Sequence, residues 1–296
     1  MAVNTSGLHE ILAMPARRPA KATLVGQADR PGFTLEHLHF DLGDGQPVRG
    51  LLTRPPTSFG RMPAVLYCHA HGGKYGIGAA ELIDGRPSLL SPYGSLLAQA
   101  GFVTLAIDMP TFGERQLPGE DSLSKALLWR GETLMGKMLG DQLAAFDWLA
   151  TRGDVDAQRV AAFGLSMGAT HAFFLGALEP RLNRIAHLCC YADWATLVET
   201  GAHDLHGHYM TVPGLLAKTS IVKIAGMVAP RPQLICVGET DPLTPQQAVE
   251  RAYDETLAAY RAAGAESALR LIVEPGSGHV ETPAMRQAVM AFLGEM

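Results

Sequence analysis

Three residues of this 296-residue chain could together perform nucleophilic acyl transfer: Ser166, Asp241 and His279. A serine hydroxyl attacks a carbonyl only when a neighbouring base takes its proton, and that base must be held in the right tautomer by a third group. Ser166 lies in Gly164-Leu165-Ser166-Met167-Gly168, a G-x-S-x-G pattern that is loose by itself in a chain with 32 glycines. Its setting sharpens it. Arg159–Phe163 reads as a buried strand and Ala169–Leu178 as a helix of small and apolar residues, so the serine falls on a sharp strand-to-helix turn. Asp241 follows the apolar run Leu234–Val237, and His279 ends the glycine-rich Glu274-Pro-Gly-Ser-Gly-His279 after Leu269–Val273. Each residue is therefore expected at the end of a different strand, where all three can meet at one sheet edge.

Alternatives exist for each position. Asp241 could cap a turn before Pro242, Glu239 is a rival acid two residues earlier, and His279 could be a surface-loop histidine among eleven. The coincidence of three strand ends in one order favours the assembled triad. The oxyanion of a tetrahedral intermediate also needs N–H donors. One expected donor is the Met167 backbone at the start of the following helix. The other is expected from the loop after Ala64–Cys68, His69-Ala-His71-Gly-Gly-Lys-Tyr-Gly-Ile-Gly78, whose glycines allow close backbone approach. His69 and His71 lack the spaced third ligand of a zinc site. Asp108, after Val103–Ile107, is expected to anchor loops rather than do chemistry.

The elements that must position these groups are legible as a pattern. Ala64–Cys68, Val103–Ile107, Val160–Leu165, Ile185–Cys190, Leu234–Val237 and Leu269–Val273 are short, nearly continuous apolar runs, as in strands covered on both faces. Helical stretches separate them: Tyr93–Ala100, Met138–Thr151, Ala169–Leu178, Gln246–Ala263 and Pro283–Leu293. The expected fold class is α/β, with a mostly parallel central sheet flanked by helices. Phe33–Phe40 alternates as an edge strand would, Asp41–Gln46 is a turn signal, and Val48–Thr53 pairs back on it. Residues 1–30 lack sustained periodicity and read as an N-terminal extension with a short helix around Leu8–Met14. Residues 31–296 form the main domain, interrupted by cap-like insertions at about 109–136 and 191–229.

The second insertion holds Gly201-Ala-His203-Asp204-Leu-His206-Gly-His208-Tyr209. Three histidines and an aspartate invite a metal, but there is no i,i+4 helical frame, and a substrate-contacting loop is the favoured reading. His203, His206 and Tyr209 are expected substrate contacts, with Trp194 and Tyr191 forming an apolar wall. Trp129, Phe112 and Met135 are candidate contributors from the first insertion, though core packing is their more ordinary role.

Composition narrows the classes. Hydrophobic residues are 47% and charged residues 18%, as in a globular protein. The net charge of −5 comes from interspersed acids and bases with no basic run, which leaves nucleic-acid binding without electrostatic support. The first ten residues lack the charged and apolar regions of a signal peptide, and no apolar run reaches a membrane span. Cys68, Cys189, Cys190 and Cys236 lie in apolar runs without zinc-site spacing, consistent with buried reduced thiols and a cytoplasmic protein. A homo-oligomer is left open.

The residues also carry a resemblance. Gly164-Leu-Ser-Met-Gly168, His69-Ala-His-Gly-Gly73, Gly238-Glu-Thr-Asp-Pro242 and Gly276-Ser-Gly-His279 together resemble the α/β-hydrolase-fold serine esterases, which use the same serine–acid–histidine order. Val212-Pro-Gly-Leu-Leu216 and Val228-Ala-Pro-Arg-Pro-Gln233 look like the dienelactone-hydrolase and acetyl-xylan-esterase-like branch. The resemblance spans roughly residues 33–293. It implies an α/β-hydrolase fold, cleavage of a small-molecule carboxylic ester through an acyl-enzyme, no cofactor or metal, and the His71 backbone amide as the second oxyanion donor. Dienelactone hydrolases proper use a cysteine where this chain has Ser166, so their lactone chemistry does not carry over. The same triad could cleave an amide, thioester or peptide bond, and a non-catalytic ligand-binding member of the fold is the reading from another class.

Overall fold

A computed structural model describes residues 4–43, 45–57 and 60–296. Met1–Val3 of the expected extension and Asp44 of the expected turn lie outside the described residues. Nine strands form one sheet: β1 (Lys21–Arg30), β2 (Phe33–Asp41), β3 (Val48–Arg54), β4 (Met62–Cys68), β5 (Val103–Ile107), β6 (Val155–Leu165), β7 (Arg184–Leu188), β8 (Gln233–Gly238) and β9 (Leu269–Glu274), in the order β1-β2-β3-β5-β4-β6-β7-β8-β9. β1, β2 and β3 pair antiparallel, and β3 runs antiparallel to β5. From β5 onward every pairing is parallel. Every residue of β5, β7 and β8 is buried, which is why those runs read as continuous rather than alternating.

The helices are α1 (Thr5–Ile11), α2 (Glu81–Asp84), α3 (Tyr93–Gln99), α4 (Glu120–Trp129), α5 (Leu134–Thr151), α6 (Met167–Leu178), α7 (Trp194–Thr200), α8 (Leu215–Lys218), α9 (Ile221–Gly226), α10 (Gln246–Ala262) and α11 (Pro283–Gly294). They cover the two sheet faces with separate apolar cores. One core gathers Leu8, Met138, Phe146, Phe174, Val222 and Tyr260 from α1, α5, α6, α9 and α10. The other gathers Leu82, Tyr93, Leu97, Val289 and Phe292 from α2, α3 and α11. This is the three-layer α/β-hydrolase architecture.

One expectation about the N-terminal region needs correction. Phe33–Phe40 is not an edge strand, because Lys21–Arg30 lies outside it as β1, paired from Lys21↔Asp41 to Arg30↔Phe33 with a bulge between Leu24 and Gly26. β1 is exposed or only partly buried along its whole length, so it has no core face to stamp an alternation on its sequence. The region before it is also built into the fold. Leu8 and Leu12 are buried, the Thr133 hydroxyl donates to the Leu12 carbonyl (2.5 Å), and Arg17 pairs with Asp147 and Glu179.

The insertions carry structure of their own. Residues 109–136 contain a 3-10 turn at Gly113–Arg115, α4 and the start of α5, while 191–229 contain α7, two 3-10 turns, α8 and α9. Both pass over the C-terminal ends of the parallel strands, where loops of such sheets carry their sites.

Candidate active site

The turn at Ser166 is made by close packing. β6 ends at Leu165 and α6 begins at Met167, leaving Ser166 at φ 57°, ψ −120°. That conformation costs a non-glycine residue on the order of 1–3 kcal/mol and holds only where the surroundings over-determine it. Here the Ser166 N–H donates to the Leu188 carbonyl (2.8 Å), and all twelve residues of α6 are buried. The flanking glycines are sterically required. A Cβ on Gly164 would lie 2.5 Å from the Cys68 carbonyl oxygen, and one on Gly168 would lie 1.8 Å from it. The strand and helix can approach β4 this closely only without side chains at those positions.

Asp241 and His279 reach Ser166 from the ends of β8 and β9. Ser166 Oγ stands 2.9 Å from His279 Nε2, and His279 Nδ1 stands 2.7 Å from Asp241 Oδ2. The buried Asp241 carboxylate also accepts the Leu243 N–H on Oδ1 (2.9 Å). An acceptor-only carboxylate fixes Nδ1 of His279 as the protonated nitrogen, which leaves Nε2 free to accept the Ser166 hydroxyl proton. Glu239, the rival acid, points elsewhere: its carboxylate accepts the Gly276 N–H (2.9 Å) and so pins the loop that carries His279. A Cβ on Gly238 would meet the Ser277 and Gly278 carbonyls at 2.4 and 2.3 Å, so this loop also depends on a glycine beneath it. On the far side of His279, buried Glu281 accepts from Leu90 N–H, the Tyr93 hydroxyl and Arg286.

The loop after β4 is clamped around Ala70. Its N–H donates to buried Glu81 (3.1 Å), and its carbonyl accepts from Arg86 (2.9 Å). His69 is fully buried, with Nδ1 donating to the Ala70 carbonyl and Nε2 accepting the Met109 N–H. Burial lowers its pKa to about 4, so it is a neutral structural residue. His71 projects toward the cavity, with its ring between Gly73, whose N–H donates to Nδ1 (3.0 Å), and Glu120, which accepts from Nε2 (2.8 Å). Phe112 packs edge-on against both His69 and His71. The backbone N–H groups of His71 and of Met167, at the first position of α6, are the two expected oxyanion donors. The initial N–H groups of a helix have no intrahelical acceptor.

Glu120 was not singled out by sequence and is the hub of this region. One carboxylate oxygen accepts from His71 and the Tyr75 hydroxyl (2.7 Å), and the other accepts the Tyr209 N–H (3.1 Å). Burial alone would raise its pKa, but the hydrogen bonds from His71, the Tyr75 hydroxyl and the Tyr209 N–H outweigh that and hold it below 4.5. One buried carboxylate thus ties the loop after β4, α4 and the second insertion together. Gly207 passes so near that a Cβ there would sit 2.7 Å from His71 Nε2. The only local signal was an acidic pair after Gly119; the partners lie 45 to 89 residues away.

Ser166 and His279 open into a cavity of ≈ 440 Å³ lined also by His71, Tyr75, Glu120, Leu205, His206 and Tyr209. His206 and Tyr209 therefore line the same cavity as Ser166. His203 and Trp194 do not line this cavity but an adjoining one. Asp108 is buried and accepts from Arg49, the Ala79 N–H and the Glu114 N–H, as an anchor of loops. Other expectations are corrected. Tyr191 belongs to the core, its hydroxyl hydrogen-bonded to the Ala252 carbonyl and the Thr256 hydroxyl. Trp129, at the end of α4, is 90% exposed and lines none of these cavities, whereas Met135 is buried core, the more ordinary role expected of it. The three histidines of the cap face different partners: His203 the Leu197 carbonyl, His206 the Leu243 carbonyl and His208 Asp121. Among the described residues no three His, Cys, Asp or Glu side chains converge as metal ligands. None of the described helices is long and apolar enough to cross a membrane.

Known proteins share this arrangement of the chain. The sequence is 35% identical over 281 residues, 95% of this chain and 94% of the relative, to "Putative hydrolase YtaP" of Bacillus subtilis (strain 168). Among solved structures, the glucuronoyl esterase from Solibacter usitatus superposes with a TM-score of 0.71 at 15% identity, covering 98% of this chain and 92% of that one. Acetyl xylan esterase 1 from Thermoanaerobacterium sp. JW/SL YS485 does so with a TM-score of 0.66 at 16% identity, covering 100% and 95%. At those identities the likeness is one of fold. Residues 91–294, which include Ser166, Asp241 and His279, match the family model of the prolyl oligopeptidase family. The chain belongs to the prolyl oligopeptidase family, with the α/β-hydrolase fold.

Proposed function

We propose that this protein is a serine esterase that cleaves carboxylic esters through an acyl-enzyme. The observation that carries the reading is the unbroken hydrogen-bonded line from Ser166 Oγ through the His279 ring to Asp241, with Ser166 opening on a cavity. Ser166 Oγ attacks the ester carbonyl carbon while its proton passes to His279 Nε2. The carbonyl oxygen becomes an oxyanion, which receives hydrogen bonds from the Met167 and His71 N–H groups. Collapse breaks the bond to the alkoxy oxygen, and Nε2 returns the proton to the departing alcohol. Water then attacks the acyl-enzyme, gives its proton to Nε2, and Ser166 leaves with that proton restored. Asp241 holds the ring in its tautomer and stabilises the imidazolium. His206 and Tyr209 contact the substrate directly, while His203 and Trp194 act from the adjoining cavity.

The substrate in this reading is a small molecule and the setting the cytoplasm, in keeping with four buried free cysteines. The name of the matched family favours a second reading, cleavage of an amide or peptide bond by the same residues. Matched 4-nitrophenyl ester and 4-nitroanilide substrates separate the two. The esterase reading expects a burst of 4-nitrophenol, labelling by a fluorophosphonate, and a loss on the order of 10⁶-fold in kcat for Ser166→Ala. An unlabelled protein, or a Ser166→Ala variant with full turnover, would contradict it.

A further inference from the structure

Beside the cavity that holds Ser166 lies a second one of ≈ 590 Å³, a size suited to a small-molecule group. The two share His206, Gly207 and His208, so the turn that borders the nucleophile also borders this second space. Its walls are mainly apolar, with Trp194 and Val198 from α7 facing Met210, Val212, Leu215 and Leu216. Trp194, Val212 and Leu215 are buried, whereas Val198 and Leu216 are 53% and 43% exposed at its mouth. Leu205, 55% exposed, lines the Ser166 side of the same turn. Ten large hydrophobic residues are exposed among the described residues, and these three line one or other of the two adjoining cavities. Scattered exposed apolar residues mean little, but a contiguous set beside a polar reaction centre marks a binding surface. No lysine or arginine is among the residues lining this cavity, and its polar side chains are His203, Asp204, His206, His208 and Thr211.

We infer that this cavity receives an apolar group of the substrate, so that the preferred esters carry an alkyl or aryl group of several carbons. The inference rests on the esterase reading and adds the substrate class to it. An alkyl group seated between Trp194, Val198 and Leu216 leaves water while the carbonyl stays at Ser166. A sugar placed there would find partners only at the few polar side chains and would leave hydroxyls against valine, leucine and methionine side chains that cannot accept or donate a hydrogen bond. The apolar group can arrive as the acyl chain or as the alcohol, and two substrate series tell these apart. One series lengthens the acyl chain of 4-nitrophenyl esters from acetate to octanoate. The other keeps acetate and lengthens the alcohol from methyl to octyl.

A rise in kcat/KM of about tenfold or more by six carbons is expected in one series, since each methylene removed from water is worth up to roughly fourfold. Filling the cavity with Val198→Trp should pull the long-to-short ratio toward one. Leu216→Asp, at a half-exposed position, should do the same by placing a charge at the mouth. A flat profile in both series, in an enzyme that hydrolyses the acetates, would overturn the inference while leaving the esterase reading intact. So would a chain-length preference that both variants retain while folded. If no ester is cleaved and Ser166 is not labelled, both readings fall together.

Discussion

Replacing Asp241 by asparagine tests the reading of the site most sharply, because it alters charge and hydrogen-bond polarity with almost no change of shape. In the native site the two carboxylate oxygens accept two separate protons, one from the Leu243 N–H at 2.9 Å and one from His279 Nδ1 at 2.7 Å. An asparagine has one acceptor oxygen and one NH₂ donor for these two positions. The Leu243 N–H is a fixed donor, whereas an imidazole can exchange tautomers. The amide oxygen is therefore expected to face Leu243, with the NH₂ facing Nδ1. His279 must then carry its proton on Nε2, where it meets the Ser166 hydroxyl 2.9 Å away and cannot accept from it. A triad in the wrong tautomer loses about 10⁴-fold in kcat, which corresponds to about 5.5 kcal/mol of transition-state stabilisation. The assay is kcat/KM for 4-nitrophenyl acetate near neutral pH, with thermal unfolding measured alongside. A folded Asp241→Asn variant losing less than tenfold would refute the reasoning, because Asp241 would then not be setting the tautomer.

Two further outcomes follow from packing and charge. Gly168→Ala would bring a Cβ to 1.8 Å from the Cys68 carbonyl oxygen, so the start of α6 must retreat by at least 1.2 Å to reach a 3.0 Å contact. A displacement of that size beside Met167 is expected to cost about 100-fold in kcat, and a folded variant within threefold of native turnover would show that the close approach is dispensable. Glu179, with only 2% of its side chain exposed, would have its pKa raised by burial. Hydrogen bonds from Arg181 and Arg17 outweigh this and bring it from 4.5 to about 2. Its contribution to stability is therefore complete above pH 4.5 and is lost as pH falls toward 2, on the order of 2 kcal/mol after solvent screening of the half-exposed Arg181. Urea unfolding between pH 6 and 2.5 should show this slope, and Glu179→Gln should flatten it; an unchanged slope in that variant would assign the acid loss to other groups.

Legibility in the sequence tracked burial and locality. The parallel strands were readable because both their faces are covered, which forces unbroken apolar runs such as Val103–Ile107. β1 was not readable, since an edge strand held mainly by its backbone pairing with β2 needs no particular side chains. Ser166, Asp241 and His279 were found because each follows a strand whose end the apolar pattern marks. The choice of Asp241 over Glu239 needed the structure: both lie just past β8, and only their geometry separates a partner of His279 from a staple of its loop. Glu120 left only an acidic pair after Gly119 for a similar reason, as its three donors come from two distant loops that meet only when the chain is folded.

The amino-acid sequence by itself thus determined the parallel part of the sheet, the strand ends that carry Ser166, Asp241 and His279, and the glycines that let strand and helix close on Ser166. These rest on local periodicity and on the steric demands of single residues. Tertiary structure alone decided which acid faces His279, how one buried carboxylate joins the loop after β4 to the cap, and which aromatic residues face a cavity rather than the core. Those are relations between segments far apart in the chain, and distance and direction exist only after the segments have packed.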